Sequence, residues 1–546
     1  MADRWYREAV IYCLDVETFQ DSNGDGVGDF KGLISRLDYL ARLGVTCLWL
    51  NPIHPSPRRD DGYDITDFYG VHPRIGTLGD FAELVHQAKN RGLRIILDLV
   101  VNHTSDQHPW FQSARSSPDS PYRDWYVWSA TEPSDRRQGM VFPGQQDETW
   151  TWDETAGAWY YHRFYDFQPD LNTGSEAVQQ EIESILGFWL ALGVSGFRMD
   201  AAPFIIELTE PGNPSSPKDF SQLTRYRERL SWRLGHALVL AEANVENEEL
   251  VKYFGDEGGT NNRLPMLFDF VLSVRTLLAL ARGAAEPVLQ ALAGAPAIPE
   301  HAQWATFLRN HDEVDLSRLS KDEQAECFAA FGPEPAMQLY GRGIRRRLAP
   351  MLDGDQARLR LAYSLQFTLP GTPVLRYGEE LGMGDDLSLP EREALRTPMQ
   401  WSDTKGAGFS SADKLVRPVI ASGPFGYPTV NVAAARLDPD SLLQWFERMI
   451  RTLRECPEVG VGACMSVPVD PPAVLVHRMD ARQGTLVFLH NLGRADVVVD
   501  VGRQPGQQGA PVEMFSDRAY DAAGPELTGL ALAGSGYRWL RLRRTA

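Results

Sequence analysis

The amino-acid sequence predicts an α/β protein: a (β/α)8 TIM barrel with an inserted subdomain after its third strand and a C-terminal antiparallel β-domain. Three observations support this fold class: eight short apolar runs, amphipathic stretches between them, and a change of pattern near residue 460. Strands of a parallel sheet are buried on both faces, so each reads as a near-continuous apolar run. The eight runs occupy residues 9–16, 45–52, 93–103, 194–201, 237–244, 265–272, 304–313 and 371–380.

The stretches that separate these runs have the apolar spacing of amphipathic helices. Residues 79–90 (GDFAELVHQAKN) and 177–193 (AVQQEIESILGFWLALG) are clear examples, and such helices connect parallel strands as crossovers. Eight strands that alternate with helices are typical of a closed barrel, in which the residues that do chemistry lie at the carboxyl ends of the strands. The polar residues at these ends are Asn102, His103, Asp200, Glu242, His311 and Asp312.

A long segment, residues 104–172, follows the third predicted strand. It is rich in Pro, Ser and aromatic residues and contains six tryptophans. A connection of this length predicts a small subdomain or a lid. The tryptophans could stack on sugar rings, but large aromatic side chains more often fill the core of a subdomain, so none is a candidate site residue.

From about residue 460 the pattern changes to short alternating strands separated by Gly, Pro and Asp turns, which predicts an antiparallel β-sandwich. The predicted domains are a catalytic barrel formed by residues 1–103 and 173–459, an inserted subdomain B at 104–172, and a C-terminal β-sandwich domain at 460–546. The sequence contains no internal repeat.

Composition and charge narrow the function classes. Of the 546 residues, 43% are hydrophobic and 10% are aromatic, which suits a globular enzyme with a sizeable core. Lys and Arg number 54 against 73 Asp and Glu, so the net charge is −19. This charge disfavours nucleic acid and anionic membranes as partners, because both require a basic surface.

Compartment signals in the sequence are few. Neither the N-terminus nor any internal stretch has the apolar length of a signal peptide or a transmembrane helix. The five cysteines are odd in number and form no CxxC pair, which favours a reducing compartment and argues against a zinc site. We therefore expect a cytoplasmic protein.

Two carboxylates at strand ends have the surroundings that a nucleophile and an acid require. In residues 194–201 (VSGFRMDA) the period of two places Arg198 beside Asp200, and this cation should lower the pKa of Asp200 and keep it ionised. Glu242 follows an apolar run, where burial should raise its pKa toward that of a general acid. Taken singly, each could be an ordinary ion pair or strand-end residue.

The segment RNHDE at 309–313 carries further polar side chains at a strand end. Asn310 and Asp312 share one face of the segment, and His311 with Asp312 could bind adjacent hydroxyls of a sugar. A helix cap would use Asn or Asp in the same way, so this segment alone is a weak indication.

The loop DSNGDGVGD at 21–29 resembles the first half of a calcium-binding loop. Its oxygen-bearing side chains are Asp21, Asn23, Asp25 and Asp29, and their spacing lets several oxygens converge on one hard cation. A complete EF-hand is excluded, because the twelfth position is Gly32 rather than Glu. The alternative is a plain Asx turn; we favour a structural calcium ion.

Taken together, DLVVNH (98–103), GFRMD (196–200), AEAN (241–244) and RNHD (309–312) resemble, in this order, the motifs of the α-amylase superfamily of retaining glycoside hydrolases and transferases. The resemblance covers essentially the whole chain, including the insertion. It implies a nucleophile at Asp200, a general acid/base at Glu242 and a transition-state stabiliser at Asp312. The three carboxylates argue against the alternative of a non-catalytic barrel that serves as a binding subunit.

The same resemblance implies further site residues and no organic cofactor. It implies that Asp60 faces Arg396 at the closed end of the glucose pocket, and that a second calcium site lies at Asn102, Asp170 and Glu207. The implied pocket residues are Asp60, Tyr63, His103, Arg198, His311 and Arg396.

Finer motifs concern the substrate. QPDLN (168–172) resembles the branch that contains oligosaccharide α-glucosidases, sucrose isomerases and trehalose synthases, and Ala201 resembles the α-1,4 type. Residues 50–67, 100–112, 307–313, 343–350 and 396–401 are similar to those of trehalose synthases, which implies a small α-glucoside substrate and isomerisation of maltose to trehalose. The alternative is a hydrolytic α-glucosidase or α-amylase acting on α-1,4 maltooligosaccharides. Two departures from the trehalose synthase pattern are Cys13, where Gln is usual, and residues 259–270. The sequence leaves the oligomeric state open.

Overall fold

A computed structural model describes residues 4–207, 218–255 and 262–542. The strands, in chain order, are β1 (Ile11–Leu14), β2 (Cys47–Leu50), β3 (Arg94–Leu99), β4 (Trp128–Ser129), β5 (Trp150–Asp153), β6 (Ala158–Tyr161), β7 (Gly196–Met199), β8 (Leu238–Ala241), β9 (Met266–Phe268), β10 (Gln303–Thr306), β11 (Val314–Asp315), β12 (Gln338–Leu339), β13 (Gly343–Ile344), β14 (Thr372–Arg376), β15 (Ala463–Ser466), β16 (Val474–Asp480), β17 (Thr485–Asn491), β18 (Val497–Val499), β19 (Val512–Ser516), β20 (Leu530–Leu532) and β21 (Tyr537–Leu542).

The helices flank these strands, and several begin at side chains that cap free backbone N–H groups. Thr77 and Asp80 form a reciprocal capping box at the start of one helix, and Asp29 caps another. The helices are α1 (Phe30–Ser35), α2 (Leu37–Leu43), α3 (Leu78–Asn90), α4 (Pro109–Ser116), α5 (Glu176–Ala191), α6 (Ala202–Ile205), α7 (Ser221–Arg233), α8 (Asn247–Phe254), α9 (Phe270–Arg282), α10 (Glu286–Gly294), α11 (Lys321–Phe331), α12 (Leu348–Met351), α13 (Gln356–Thr368), α14 (Val432–Leu437), α15 (Leu442–Arg454) and α16 (Glu458–Val461).

Eight parallel strands close into a barrel in the order β1-β14-β10-β9-β8-β7-β3-β2. Each lies within one of the eight apolar runs except for Gln303 at the start of β10, so the predicted fold class is confirmed. The run 265–272 yields only the short strand β9, because the Asp269 side chain accepts a hydrogen bond from the Leu272 backbone N–H and α9 begins at Phe270. Apolar composition alone did not separate this strand from the helix that follows it.

The barrel has an apolar interior and a second apolar layer between strands and helices. Inside, residues such as Ile11, Ile96, Leu240 and Met266 pack together with almost no exposed surface. The alternate side chains of the same strands point outward onto the helices and join the main core. Burial of both faces explains why these strands read as continuous apolar runs.

The insertion between β3 and α5 contains α4 and a three-stranded antiparallel sheet in the order β4-β6-β5. Trp128 stacks on Phe111 of α4 with a ring separation of 5.6 Å, and Trp110 stacks on Phe68 of the barrel at 5.5 Å. These tryptophans therefore fill the core between subdomain and barrel. Trp152, by contrast, is 40% exposed.

The C-terminal region is antiparallel, as predicted. A five-stranded sheet in the order β15-β16-β17-β21-β19 packs with the two-stranded sheet β18-β20 around a shared apolar core. The five-stranded sheet contacts the barrel helices, since the Trp539 indole N–H donates to Ser364 of α13 at 2.9 Å. The first of these strands begins at Ala463; the domain boundaries themselves stay a prediction.

Among the described residues, no helix combines the length and apolar composition that a membrane span requires.

Candidate active site

A cavity of about 520 Å³ opens at the carboxyl ends of the barrel strands. It has the size of a small-molecule site and lies on the face where barrels of this type place their chemistry. Of the nine predicted catalytic and substrate-binding residues, Asp60, Tyr63, His103, Asp200, Glu242 and Asp312 line it. The other three, Arg198, His311 and Arg396, are buried directly behind these residues.

Arg198 lies at the centre of the site and is 1% exposed. Its Nη1 donates to Asp98 at 2.8 Å and to Asp200 at 2.6 Å, while its Nη2 donates to Glu242. Because Arg198 and Asp200 are two residues apart on one strand, their side chains project from the same face of β7. One guanidinium therefore holds two of the three predicted catalytic carboxylates, Asp200 and Glu242, in fixed positions.

The pKa of Asp200 differs from the sequence-based expectation. Burial raises it to about 6, and the nearby Asp98 and Asp312 add to this, so the opposing effect of Arg198 is outweighed. Arg198 does lower the pKa of Asp200, as predicted, but burial outweighs this effect, so the pKa lies above its usual value. The prediction for Glu242 is confirmed, since burial raises its pKa to about 7.

The pKa of Asp312 is shifted in the opposite direction from those of Asp200 and Glu242. Burial favours its neutral form, but His311, Arg392 and Arg396 more than offset this effect, so the pKa lies well below its usual range. Arg396 Nη2 and Arg392 Nη1 donate to Asp312 Oδ1 at 2.9 and 3.1 Å. Of the three predicted catalytic carboxylates, Asp312 is thus firmly ionised, and Asp200 and Glu242 have pKa values near neutrality.

The ion pairs at the closed end of the cavity correct one expectation. Asp60 does not pair directly with Arg396; its Oδ1 accepts a hydrogen bond from Arg392 at 2.7 Å. Arg396 instead donates to the adjacent carboxylate, Asp61, which also contacts Arg417. Two neighbouring aspartates are therefore divided between two arginines, and Arg392 takes the place that the resemblance implied for Arg396.

Neutral rings complete the wall behind the carboxylates. The Tyr63 ring stacks on His311 at 5.7 Å, its hydroxyl lies 2.6 Å from His311 Nε2, and it donates to Asp98 at 3.1 Å. Burial lowers the pKa of His311 to about 3 and that of His103 to about 4. Both imidazoles are consequently uncharged at neutral pH, and His103, which lines the cavity, can bind a sugar hydroxyl as a neutral donor or acceptor.

The family model of the α-amylase catalytic domain matches residues 13–331 and 345–459. The chain belongs to the α-amylase family. Its relatives include a trehalose synthase of Pimelobacter sp. strain R48, which is 39% identical over 549 residues, covering 98% of this chain and 96% of that protein. A trehalose synthase/amylase of Mycobacterium tuberculosis is 40% identical over 543 residues, covering 98% of this chain and 90% of the relative.

Solved structures of α-amylase family enzymes resemble this chain over almost its full length. The trehalulose synthase MutB from Pseudomonas mesoacidophila MX-45 superposes with a TM-score of 0.79 at 26% identity, covering 99% of each chain. An α-amylase from H. orenii gives a TM-score of 0.80 at 27% identity, covering 98% of this chain and 99% of that one.

The loop at 21–29 is held by backbone donors in this α-amylase family member. Asp21 accepts hydrogen bonds from the backbone N–H groups of residues 23, 24 and 26, and Asp29 accepts from Gly32 as a helix cap. Asn23 and Asp25 bond to each other and are exposed. Asx turns and a cap therefore account for the loop, and the described part of the chain contains no group of three or more His, Cys, Asp or Glu side chains arranged to hold a metal ion. Calcium binding here stays a prediction.

At the second implied calcium site, an arginine supplies the positive charge. The Arg163 guanidinium contacts Glu207 at 2.5 Å, and its backbone N–H donates to Asp170 at 2.9 Å. Burial raises the Asp170 pKa to about 7, which favours a neutral carboxyl beside Asn102. A cationic side chain already paired with Glu207 fits a divalent ion at this position poorly.

Several cavity residues were missed by sequence reasoning. Arg392, Glu313 and Phe142 line the cavity. Arg392 and Phe142 come from loops with no periodic pattern, whereas Glu313 ends the predicted run 304–313 and directly follows Asp312. Asp98 does carry a signal that could have found it, because a charged residue inside the apolar run 93–103 requires a buried partner. That partner is Arg198.

Both departures from the trehalose synthase pattern lie near the cavity. Cys13 is buried on β1, where its thiol lies 3.5 Å from the Asn51 side-chain oxygen. Residues 259–261 lie outside the described residues, but residues 262–270 include β9 and end at Phe270, which lines the cavity.

Proposed function

We propose that this protein isomerises maltose to trehalose by an intramolecular double displacement with retention. The observation that carries the proposal is the identity of 39–40% with trehalose synthases over 98% of the chain. Relatives with hydrolase names are more distant: a glucan 1,6-alpha-glucosidase of Streptococcus pneumoniae is 32% identical over 83% of the chain. Three carboxylates around one cavity are consistent with this chemistry.

In the first step Asp200 attacks the anomeric carbon of the non-reducing glucose, and the C1–O4 bond of maltose breaks. With a pKa of about 6, Asp200 is largely ionised at neutral pH. Arg198 holds its carboxylate in place. A covalent glucosyl ester forms, as in retaining glycosidases.

Glu242 acts on the other oxygen in both steps. With a pKa of about 7 it is partly protonated at neutral pH and can donate its proton to the departing O4. In the second step the freed glucose presents its anomeric hydroxyl, Glu242 takes that proton, and the ester is cleaved to give trehalose. Asp312, held ionised by its arginines, stabilises the positive charge that develops on the sugar ring.

The closed end of the cavity supports a disaccharide substrate. Arg392 joins Asp60 to Asp312, and Arg396 joins Asp61 to Asp312, so charged side chains end the cavity behind the glucose position. A volume of about 520 Å³ suits two sugar rings. A longer glucan would have to extend through the opposite, open side.

Hydrolysis is the second candidate function, because the Mycobacterium tuberculosis relative is named a trehalose synthase/amylase. Incubation with maltose, followed by chromatographic quantification of trehalose and glucose, separates the two. Trehalose as the main product supports the isomerase; glucose alone, even at low temperature, would replace it with an α-glucosidase. The matched control is Asp200→Asn, which should form neither product.

Two further expectations remain proposals. A structural calcium ion at residues 21–29 is supported by the oxygen-rich side chains of that loop. A cytoplasmic location is supported by five cysteines that form no disulfide among the described residues.

A further inference from the structure

The inserted subdomain covers the cavity. Its residues 140–142, called the roof here, are held by loops that come from other barrel strands. Met140, Val141 and Phe142, from the loop after β3, line the cavity. They lie against a segment after β10 and a segment after β14. These loops start from separate strands, so the contacts that hold the roof join segments that are distant in sequence.

Glu391 joins all three loops. Its Oε2 accepts a hydrogen bond from the Tyr165 hydroxyl of the insertion at 2.6 Å and from the Tyr340 hydroxyl at 2.8 Å. Tyr340 belongs to the segment between β12 and β13, which follows β10. Glu391, Tyr165 and Tyr340 are named the clasp here.

The clasp also holds an aromatic side chain of the roof. Phe142 stacks on Tyr340 with a ring separation of 4.8 Å and lies 5.1 Å from the Tyr165 ring. Both tyrosines therefore contact Phe142 with their rings while their hydroxyls meet at Glu391. Loss of the hydroxyl bonds would free the two rings, and Phe142 with them, to move away from the cavity.

The residue after Glu391 reaches the reacting centre. Arg392 donates to Asp60 at 2.7 Å and to Asp312 at 3.1 Å, and its guanidinium lies 5.0 Å from the Phe142 ring. Glu391 itself has a φ of +37°, a conformation that non-glycine residues rarely adopt. Such a conformation persists only where the surroundings hold it, and here the clasp supplies two of those contacts.

We propose that Glu391 is a positioning residue that keeps the insertion closed over the covalent intermediate and so sets how much glucose is transferred rather than released. The inference rests on the proposed isomerase function. The glucosyl ester can be attacked by the retained glucose or by water, and the outcome depends on water access to the cavity. A looser roof admits water and releases the free glucose.

Arg342 provides a second attachment of the roof besides the clasp. Arg342 donates to the Val141 carbonyl at 2.8 Å and to Asp315 at 3.2 Å. Because this second attachment remains when the clasp is removed, the variants should fold and cleave maltose. The expected change is in product partition rather than in the rate of cleavage.

The test compares Tyr165→Phe/Tyr340→Phe with the wild type and with Tyr160→Phe. Tyr160 is a matched control in the same subdomain, since its hydroxyl donates to the Asp166 carbonyl at 2.7 Å and not to the barrel loops. We expect the double variant to raise the ratio of glucose to trehalose by about tenfold, the size expected from hydrogen bonds to a charged group, with maltose consumption nearly unchanged. An unchanged ratio, or an equal rise in Tyr160→Phe, overturns the proposal.

Hydrogen–deuterium exchange at residues 139–146 provides a readout independent of the products. The double variant should exchange faster there, and Tyr160→Phe should not. If the wild type forms only glucose, the isomerase proposal fails, and the clasp is then judged by this exchange alone. Equal protection in wild type and double variant would show that the clasp does not hold the roof.

Discussion

Two carboxylate-rich regions of this protein use the same side chains in different ways. In the cavity, Asp200, Glu242 and Asp312 are held by guanidinium groups and are partly or largely buried. In the loop at 21–29, Asp21 and Asp29 are held mainly by backbone N–H groups. Arginine partners and burial shift pKa values and prepare charges for reaction, whereas backbone partners shape a turn and start a helix. Substitutions in the first region should therefore change activity, and those in the second should change stability.

The largest expected effect comes from removing the proposed nucleophile, Asp200. Asp200→Asn should lower turnover of maltose by about 10⁴-fold or more, because no other group can form the covalent ester. The fold should survive, since burial raises the Asp200 pKa and the ionised carboxylate therefore costs stability at neutral pH. Product assays and calorimetry measure the two effects; appreciable residual turnover would place the nucleophile elsewhere.

The next effect tests the arginine partners. Arg392→Met should lower kcat/KM for maltose by about 10- to 100-fold, the range expected for loss of charge-assisted hydrogen bonds, because Asp60 and Asp312 both lose a donor. Steady-state kinetics provide the measurement. Arg503→Met, which removes an exposed ion pair in the C-terminal region, is the control and should leave kcat/KM unchanged.

The dependence of kcat/KM on pH tests the protonation states of Asp200 and Glu242. The proposed mechanism requires ionised Asp200 and protonated Glu242, so kcat/KM should rise as pH increases through about 6 and fall as it increases through about 7. Below the lower pKa and above the upper one, kcat/KM should change about tenfold per pH unit. Because the two carboxyl groups interact, the two apparent pKa values belong to the pair. A profile that stays flat from pH 5 to 8 contradicts these assignments.

The effect of calcium on protein stability tests whether the loop at 21–29 is a metal site. If residues 21–29 bind calcium in the native state only, a free concentration ten times Kd should stabilise the protein by about 1.4 kcal/mol. Calorimetry of chelator-treated protein, with and without added calcium, measures this as a higher Tm. Asp25→Ala should abolish the response; a Tm that calcium does not change would leave the loop a plain turn.

The smallest effect is loss of a helix cap. Asp29→Ala removes the acceptor for the Gly32 N–H at the start of α1 and should cost about 1 kcal/mol of unfolding free energy. Denaturant titration in the presence of chelator isolates this effect from any metal. Maltose turnover should stay at the wild-type level, and a large loss of turnover would contradict the separation between the two regions.

The sequence by itself determined the barrel and its three carboxylates. Strand positions follow from buried apolar runs, and Arg198 and Asp200 share a face because of the two-residue period of a strand. These are local properties, so a linear sequence carries them. The lining of the cavity by Asp200, Glu242 and Asp312 follows from the rule that strand ends converge on one face of a barrel.

Only the tertiary structure decided which partners these side chains have. Asp60 and Asp61 are adjacent in sequence, yet Asp60 pairs with Arg392 and Asp61 with Arg396, because the pairing depends on how two distant loops pack. The pKa of Asp200 likewise depends on total burial and on Asp98 and Asp312, not on its nearest cation alone. Long-range packing has no sequence period, and desolvation is a sum over the whole neighbourhood, so neither can be obtained from residue spacing.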